Sequence, residues 1–258
     1  MADETHSGLI LDQFTRQAVP FSSAGTIANE QALAMLVETA GPQPDDTVLD
    51  IACGGGLVVC AFAPHVRHAT GIDLTPAMLE RARALAAEKS LANVTWREGD
   101  VNALPFPDGA FTIVVTRFAM HHFLDPRAVF GEMVRVCRPG GRIVVADTCA
   151  SADPAKAAAF NRLEKLRDPS HARSLTLAEL EGFYRAAGLP QPEKRFYELR
   201  DTVDHLLARS FPNPGDEEKI RALFTAALTS DRLGVPVSRE GGVLSYAYPV
   251  AILSAARA

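Results

Sequence analysis

Aromatic residues are scarce in this 258-residue chain, 7% in all with one tryptophan, and no apolar run is long. Stretches such as "PVAILSAA" fall far short of the ~20 residues a membrane-spanning helix needs, so no integral membrane segment is expected. Missing too is any block of lysine or arginine, and the formal net charge is -5. A nucleic-acid backbone selects a basic face, so nucleic acid is not expected as a partner. The opening "MADETHSG" has no apolar core, which argues against a signal peptide and for a cytoplasmic protein. There are only four cysteines, Cys53, Cys60, Cys137 and Cys149. They form neither a CxxC pair nor a metal-like cluster, so reduced, buried thiols and no metal are expected.

What is present is alternation. From Thr47 the short apolar runs "TVLDIA", "HATGID", "NVTWRE", "FTIVVT" and "GRIVVAD" are separated by helical patterns. Continuous Val/Ile-rich strands belong to a sheet covered on both faces. In "TPAMLERARALAAEK" Thr75 is the expected N-cap and Pro76 the first helical residue, with Met78, Ala82, Leu85 and Ala86 on one face. "DPRAVFGEMVRVCRPGG" opens on Asp-Pro, and Pro139-Gly140-Gly141 is expected to stop it. Strand–helix–strand repetition of this kind predicts an α/β fold with a doubly wound parallel sheet. Beyond Asp147 the helical segments around 151–175 and 201–235 exceed what a sheet requires, and a cap over the strand ends is expected there. "EKRFYELR" and "YAYPVAILSAARA" read as two late strands.

The stretch "VLDIACGGG" sets an aspartate ahead of a glycine turn. A dinucleotide fingerprint is G-x-G-x-x-G. Here Gly54-x-Gly56 is followed by Val59 where the third glycine belongs. Asp50 would also repel a pyrophosphate, and suits a ligand with positive charge and no phosphate. Asp73 ends the second strand about as far beyond the glycine turn as the acid that hydrogen-bonds a ribose diol. Asp100, in "EGDVNALPF", follows the third strand and could accept from an adenine amino group. Taken singly, each glycine is equally a plain turn residue and each aspartate equally a helix cap.

Together with "GIDLTPAMLERAR", "GDVNALPFPDGAFTIVV", "FAMHHFLDP" and "EMVRVCRPGGRIVVAD", this stretch resembles the class I S-adenosylmethionine-dependent methyltransferases. The pattern is similar to the ubiquinone/menaquinone C-methyltransferase type. The resemblance covers Thr47 to Asp147 and implies a Rossmann-like sheet of seven strands with an antiparallel last one, assigned to 249–255. It implies S-adenosyl-L-methionine as cofactor, with Asp50, Ala52, Gly54 and Gly56 around its methionine part. Asp73 and Leu74 would then hold the ribose, and Asp100 and Val101 the adenine. Arg117, ending the fourth strand, meets either the cofactor carboxylate or a surface acid.

The expected reaction is methyl transfer to a small-molecule acceptor by in-line displacement. Carbon methylation of a polyprenyl quinone precursor is one alternative, and a non-catalytic S-adenosylmethionine-binding protein another. A base for the acceptor would lie past the fourth strand, where histidine suits neutral pH. His121, His122 and His171 are the candidates, each with a packing role as the other possibility. Adjacent His121 and His122 are expected to point apart. Residues 1–46 are expected as a helical lid segment, with Phe14, Gln17 and Phe21 inward or else packed outside the sheet, before a methyltransferase domain from 47 to 258. Tyr184, Tyr246 and Tyr248 are pocket or core. Nothing in the sequence names the oligomeric state.

Overall fold

A computed structural model of the chain describes residues 2–22 and 25–258, with side chains for 6–18 and 25–258. The first half runs α1 (Ala2–Ser22), α2 (Glu30–Ala40), β1 (Thr47–Ile51), α3 (Leu57–Phe62), β2 (His68–Asp73), α4 (Pro76–Glu88), β3 (Val94–Glu98) and β4 (Phe111–Arg117). The second runs α5 (Pro126–Val136), β5 (Cys137–Thr148), α6 (Pro154–Arg167), α7 (Leu177–Ala186) and β6 (Glu193–Thr202). It ends with α8 (Val203–Ala208), α9 (Asp216–Ala227), β7 (Val237–Glu240) and β8 (Val243–Ala256).

Successive side chains of a strand leave the sheet on opposite faces, so an apolar run feeds two cores. Val48, Ile113, Val115 and Val144 enter the core under α2, α3 and α4, while Leu49, Val114, Ile143 and Val145 enter the core under α5 and α7. Each large side chain buried in this way contributes roughly 1.5–3 kcal/mol. A third cluster joins α6, α8 and α9 to Leu244, Tyr246 and Tyr248 of β8.

The sheet order is β3-β2-β1-β4-β5-β8-β6, with β7 paired to β8. The fold is the Rossmann-like α/β class expected from the sequence, with β8 antiparallel to both β5 and β6. An eighth strand, β7, joins the expected seven. Its hairpin turn is Gly241-Gly242, both at positive φ, a two-glycine signal for a tight turn that the expected strand list left unused. The last strand is also longer than 249–255, because its first half pairs with β7 and with the end of β6.

Two local expectations need correction. Thr75 occupies the N-cap position of α4 without making the cap bond, and its Oγ1 is buried without a partner. Helix α5 ends at Val136, before Pro139-Gly140-Gly141, which form a bulge near the start of β5, with Gly140 at φ +74°. Cys137 therefore starts a strand, buried against it. Cys53 and Cys60 are likewise buried free thiols, and Cys149 is half-buried.

The chain lays down β1, β2 and β3 outward, then returns to place β4 on the other side of β1. Ligands of open α/β sheets bind at such a reversal, outside the carboxyl ends of the strands. Helix α1 closes over this edge. His6 Nε2 donates to the carbonyl of His122 at 2.7 Å, and Gln17 Nε2 to Asp168 at 3.2 Å.

Candidate active site

Two adjoining cavities lie at this edge. The first has about 1150 Å³ including its open mouth and is lined by Asp50, Ala52, Gly54, Asp73, Leu74, Asp100, Val101 and Arg117. Eight of the nine residues expected to hold a cofactor therefore meet in one space. The ninth, Gly56, does not line it. A Cβ on Gly56, at φ +82°, would sit 2.6 Å from the Trp96 ring and 2.8 Å from the Ala82 methyl. Its task is close helix–strand packing.

Asp50 is 1% exposed, and neither carboxylate oxygen has a hydrogen-bond partner. Burial pushes its carboxyl well above the usual range, the charge of Asp73 adds to this, and Arg117 pulls it back. Arg117 donates through Nη1 to the Ile27 carbonyl at 3.0 Å and stacks over Phe118, yet among the described residues its buried Nε and Nη2 have no partner within hydrogen-bond distance, the nearby Tyr197 hydroxyl being unmatched as well. Buried polar groups are nearly always paired in proteins. An unpaired acid and a guanidinium with two unmatched nitrogens, lining one crevice, fit a ligand carrying both an ammonium and a carboxylate.

Asp73 is held more firmly. Gly54 N donates to Oδ2 and Thr75 N to Oδ1, each at 2.8 Å. This carboxylate therefore ties the glycine turn to the end of β2. Burial raises its pKa, and those two N–H bonds oppose the rise. A carboxylate can accept about four hydrogen bonds, so capacity is left for a hydroxyl pair. Gly54 adopts φ +51°, and a Cβ there would meet nothing nearer than Met78 sulfur at 4.0 Å, so the turn is open toward the cavity. Exposed Asp100 caps its own short turn, accepting from Asn102 N at 2.9 Å. Two non-glycine residues at the strand ends, Ala52 and Phe118, also have left-handed backbones, and both line the cavity. Such conformations persist where the surroundings enforce them, often at functional sites.

The second cavity, about 540 Å³ with its mouth, shares Phe14, Ile27, Phe118 and His122 with the first. Its other walls include His121, Glu164, Arg167, Asp168, Arg209, Tyr246 and Tyr248. His121 and His122 do not point apart. They sit in a 3-10 turn with ring centroids 4.4 Å apart, and both line this cavity. His171 is a different case: it lines neither cavity, is fully buried, and its Nε2 donates to Asn161 at 2.9 Å. Burial, then the neighbouring His121, hold its pKa far below the usual range. Packing is its role here. Tyr184 is also core, its hydroxyl donating to the Leu253 carbonyl at 2.9 Å, whereas Tyr246 and Tyr248 face the cavity. Phe14 lines both cavities and Gln17 the second; the side chain of Phe21 lies outside the described residues.

Sequence reasoning missed Arg167, Glu164 and Arg209, which a helical pattern alone cannot aim at a strand end. It also missed Asp147, although an acid ending β5 repeats the signal of Asp50 and Asp73. Among the described residues no helix is long and apolar enough to cross a membrane, and no cluster of potential ligands would hold a metal ion.

A crevice at the reversal of a Rossmann-like sheet, with a glycine turn and unpaired acid in place of a phosphate cradle, defines a class of nucleoside-cofactor transferases. Residues 49–145 match the family model for the methyltransferase domain. The chain is 34% identical over 235 residues to the uncharacterized methyltransferase YcgJ of Bacillus subtilis, spanning 87% of this chain and 92% of that protein. The solved structure of YcgJ superposes with a TM-score of 0.82 over 89% of this chain and 99% of the other. A geranyl diphosphate C-methyltransferase from Streptomyces coelicolor, solved with S-adenosyl-L-homocysteine, shares the fold at a TM-score of 0.63 and 20% identity, over 88% and 80% of the two chains. The chain belongs to the class I S-adenosylmethionine-dependent methyltransferases.

Proposed function

We propose that the chain transfers a methyl group from S-adenosylmethionine, bound in the first cavity, to a small-molecule acceptor bound in the second. The observation that carries this is the pair of unsatisfied groups, the two oxygens of Asp50 and the Nε and Nη2 of Arg117, in one crevice. Asp50 would receive the ammonium and Arg117 the carboxylate of the methionine part. Asp73 would hold the ribose hydroxyls. Leu74 and Val101 would flank the adenine, with Asp100 at its amino edge.

When bound, the cofactor supplies a methyl group already activated by a sulfonium, so the protein's tasks are alignment, exclusion of water and management of one proton. Alignment follows from the shared wall of Phe14, Ile27, Phe118 and His122 between the cavities. Exclusion of water falls to α1, fastened at both ends by His6 and Gln17. In this assignment residues 1–46 act as the lid segment. Segments 151–175 and 201–235 act as the acceptor-side cap, supported by their shared cluster around Phe160, Leu206 and Phe224.

The test is a screen of small acceptors with radiolabelled S-adenosylmethionine, followed by identification of the labelled product. Label recovered only in protein or nucleic acid would contradict a small-molecule acceptor. A narrower expectation concerns Asp73. Hydrogen bonds to charged groups are worth roughly 1.5–3 kcal/mol, so Asp73→Ala should weaken S-adenosylhomocysteine binding tenfold or more in calorimetry. Unchanged affinity in the folded variant would reduce this acid to a brace for the glycine turn.

A further inference from the structure

His121 Nδ1 donates to Oδ1 of Asp147 at 2.6 Å. That carboxylate is 2% exposed and is itself fixed by the Thr148 N–H at 2.7 Å. The histidine backbone is pinned as well, its carbonyl accepting from Ala172 N at 2.9 Å and Arg173 N at 3.0 Å. With the Nδ1 proton on the carboxylate side, the lone pair of the neutral ring lies on Nε2. Among the described residues Nε2 has no hydrogen-bond partner, and it is not sealed off as Nδ1 of His171 is. An oriented imidazole thus presents its basic nitrogen to the second cavity.

The rest of that cavity describes what it would hold. Phe14, Phe118, Tyr246, Tyr248, Leu199 and Leu206 give it aromatic and apolar walls. Its cations are already matched: Arg167 pairs with Glu164 at 2.7 Å and Arg209 with Asp201 at 2.5 Å. The Tyr248 hydroxyl donates to the other oxygen of Glu164 at 2.8 Å. Among the described residues lining this cavity no guanidinium is left free for a carboxylate or phosphate on the acceptor. A compact, uncharged aromatic ring with one protic group matches these walls.

We propose that the second cavity takes a small phenol and that His121, oriented by Asp147, is the base that removes its proton. This rests on the methyl-transfer assignment above. The O–H proton passes to Nε2, and an oxygen lone pair forms the bond to the methyl carbon. The sulfur–methyl bond breaks with its electron pair kept on sulfur, which becomes a neutral thioether. The imidazolium so formed is held by Asp147 until it loses the proton to water.

The surroundings favour His121 over its neighbour. The groups facing it are Asp147 from β5, Glu164 and Arg167 from α6, and the rings of His122 and His171 at 4.4 and 5.5 Å. Burial disfavours its charged form, but Asp147 outweighs burial and raises the pKa above 6.5. Among the described residues no carboxylate hydrogen-bonds to His122; Asp168 faces it across the Ser170 hydroxyl and only partly offsets burial. The His122 Nδ1 donates to the Ser170 carbonyl at 3.2 Å, and burial, aided by His121, pushes its pKa down to about 3. It cannot readily hold a proton, and positions the wall between the cavities.

The test uses the full chain with S-adenosylmethionine and two probes, 4-nitrophenol and phenol. At about pH 8 the first is largely ionised, while phenol, like tyrosine with a pKa of ~10, keeps its proton. His121→Gln should lower turnover of phenol by roughly 10²–10⁴ and that of 4-nitrophenol by less than about tenfold. Asp147→Asn should lower phenol turnover in the same selective way, and His122→Gln should affect both probes alike. In the wild type the rate on phenol should rise with pH through the His121 pKa, a limb absent from His121→Gln. In the cofactor-free protein, NMR should show the His121 ring titrating above the usual imidazole range, moved downward by Asp147→Asn. Equal losses on both probes, or a titration indifferent to Asp147, would overturn the base. Methylation of other compounds but no phenol would overturn the acceptor class while leaving methyl transfer standing. Absence of S-adenosylmethionine binding would instead remove the assignment beneath it.

Discussion

Asp50→Asn is expected to weaken S-adenosylmethionine binding about a hundredfold or more while making the cofactor-free protein more stable. The two effects share one cause. In the free chain both oxygens of Asp50 are buried without partners. Burying a charge without a partner is costly, and the carboxyl responds with a pKa raised by burial, by Asp73 and against Arg117. A carboxyl whose folded pKa lies above its unfolded value costs stability as pH rises from the ordinary carboxylate range through the raised value. Asparagine has the same shape and no such penalty, so this pH-dependent loss should disappear from thermal denaturation of the variant. With the ammonium in place the balance reverses. Removing one partner of a buried ion pair costs about 3–5 kcal/mol, and about 3 kcal/mol is already two orders of magnitude in affinity. Calorimetry and melting curves on the same preparation check both halves. A variant that is less stable and binds normally would show that Asp50 is satisfied within the protein.

Gly56→Ala should produce the other large effect, and on stability rather than selectively on the cofactor. At φ +82° an alanine is strained by about 1–2 kcal/mol. Its methyl would also lie 2.6 Å from the Trp96 ring and 2.8 Å from the Ala82 methyl, and overpacking costs a further 1–3 kcal/mol. A loss of about 2–5 kcal/mol corresponds to a fall in Tm of roughly 4–20 °C. Gly54→Ala adds its methyl to open space beside Met78, so it shares only the backbone strain. If Gly56→Ala melted normally but no longer bound S-adenosylhomocysteine, Gly56 would belong to the cradle after all.

That contrast between two glycines two positions apart illustrates how far the sequence could be read. Strands β1 to β5 were legible because continuous Val/Ile runs have few alternatives, and Asp50 and Asp73 because acids at strand ends stand out against such runs. The position of Asp50 ahead of an incomplete glycine fingerprint was legible too, and both features weigh against a pyrophosphate. Gly56 was not, because its ring neighbour Trp96 lies on β3, and which helix face meets that strand is a matter of packing. His121 finds its carboxylate 26 residues away and Gln17 bonds to Asp168 across 151. No local period encodes such pairs. The same holds for Arg117, where the sequence offered two partners and the structure adds the Ile27 carbonyl. The β7–β8 hairpin is different in kind: Gly241-Gly242 announced it, and only the short, polar β7 run obscured it.

The measurement closest to the centre of this account is a calorimetric titration of the wild-type chain with S-adenosylmethionine and, separately, with NAD. An unpaired acid beside an incomplete glycine fingerprint should accept the cationic, phosphate-free ligand at one site and reject the pyrophosphate. Saturable binding of S-adenosylmethionine with no detectable heat from NAD is the predicted result. NAD binding as tightly or more tightly would contradict it, because Asp50 would then be tolerating the very charge it is placed to repel.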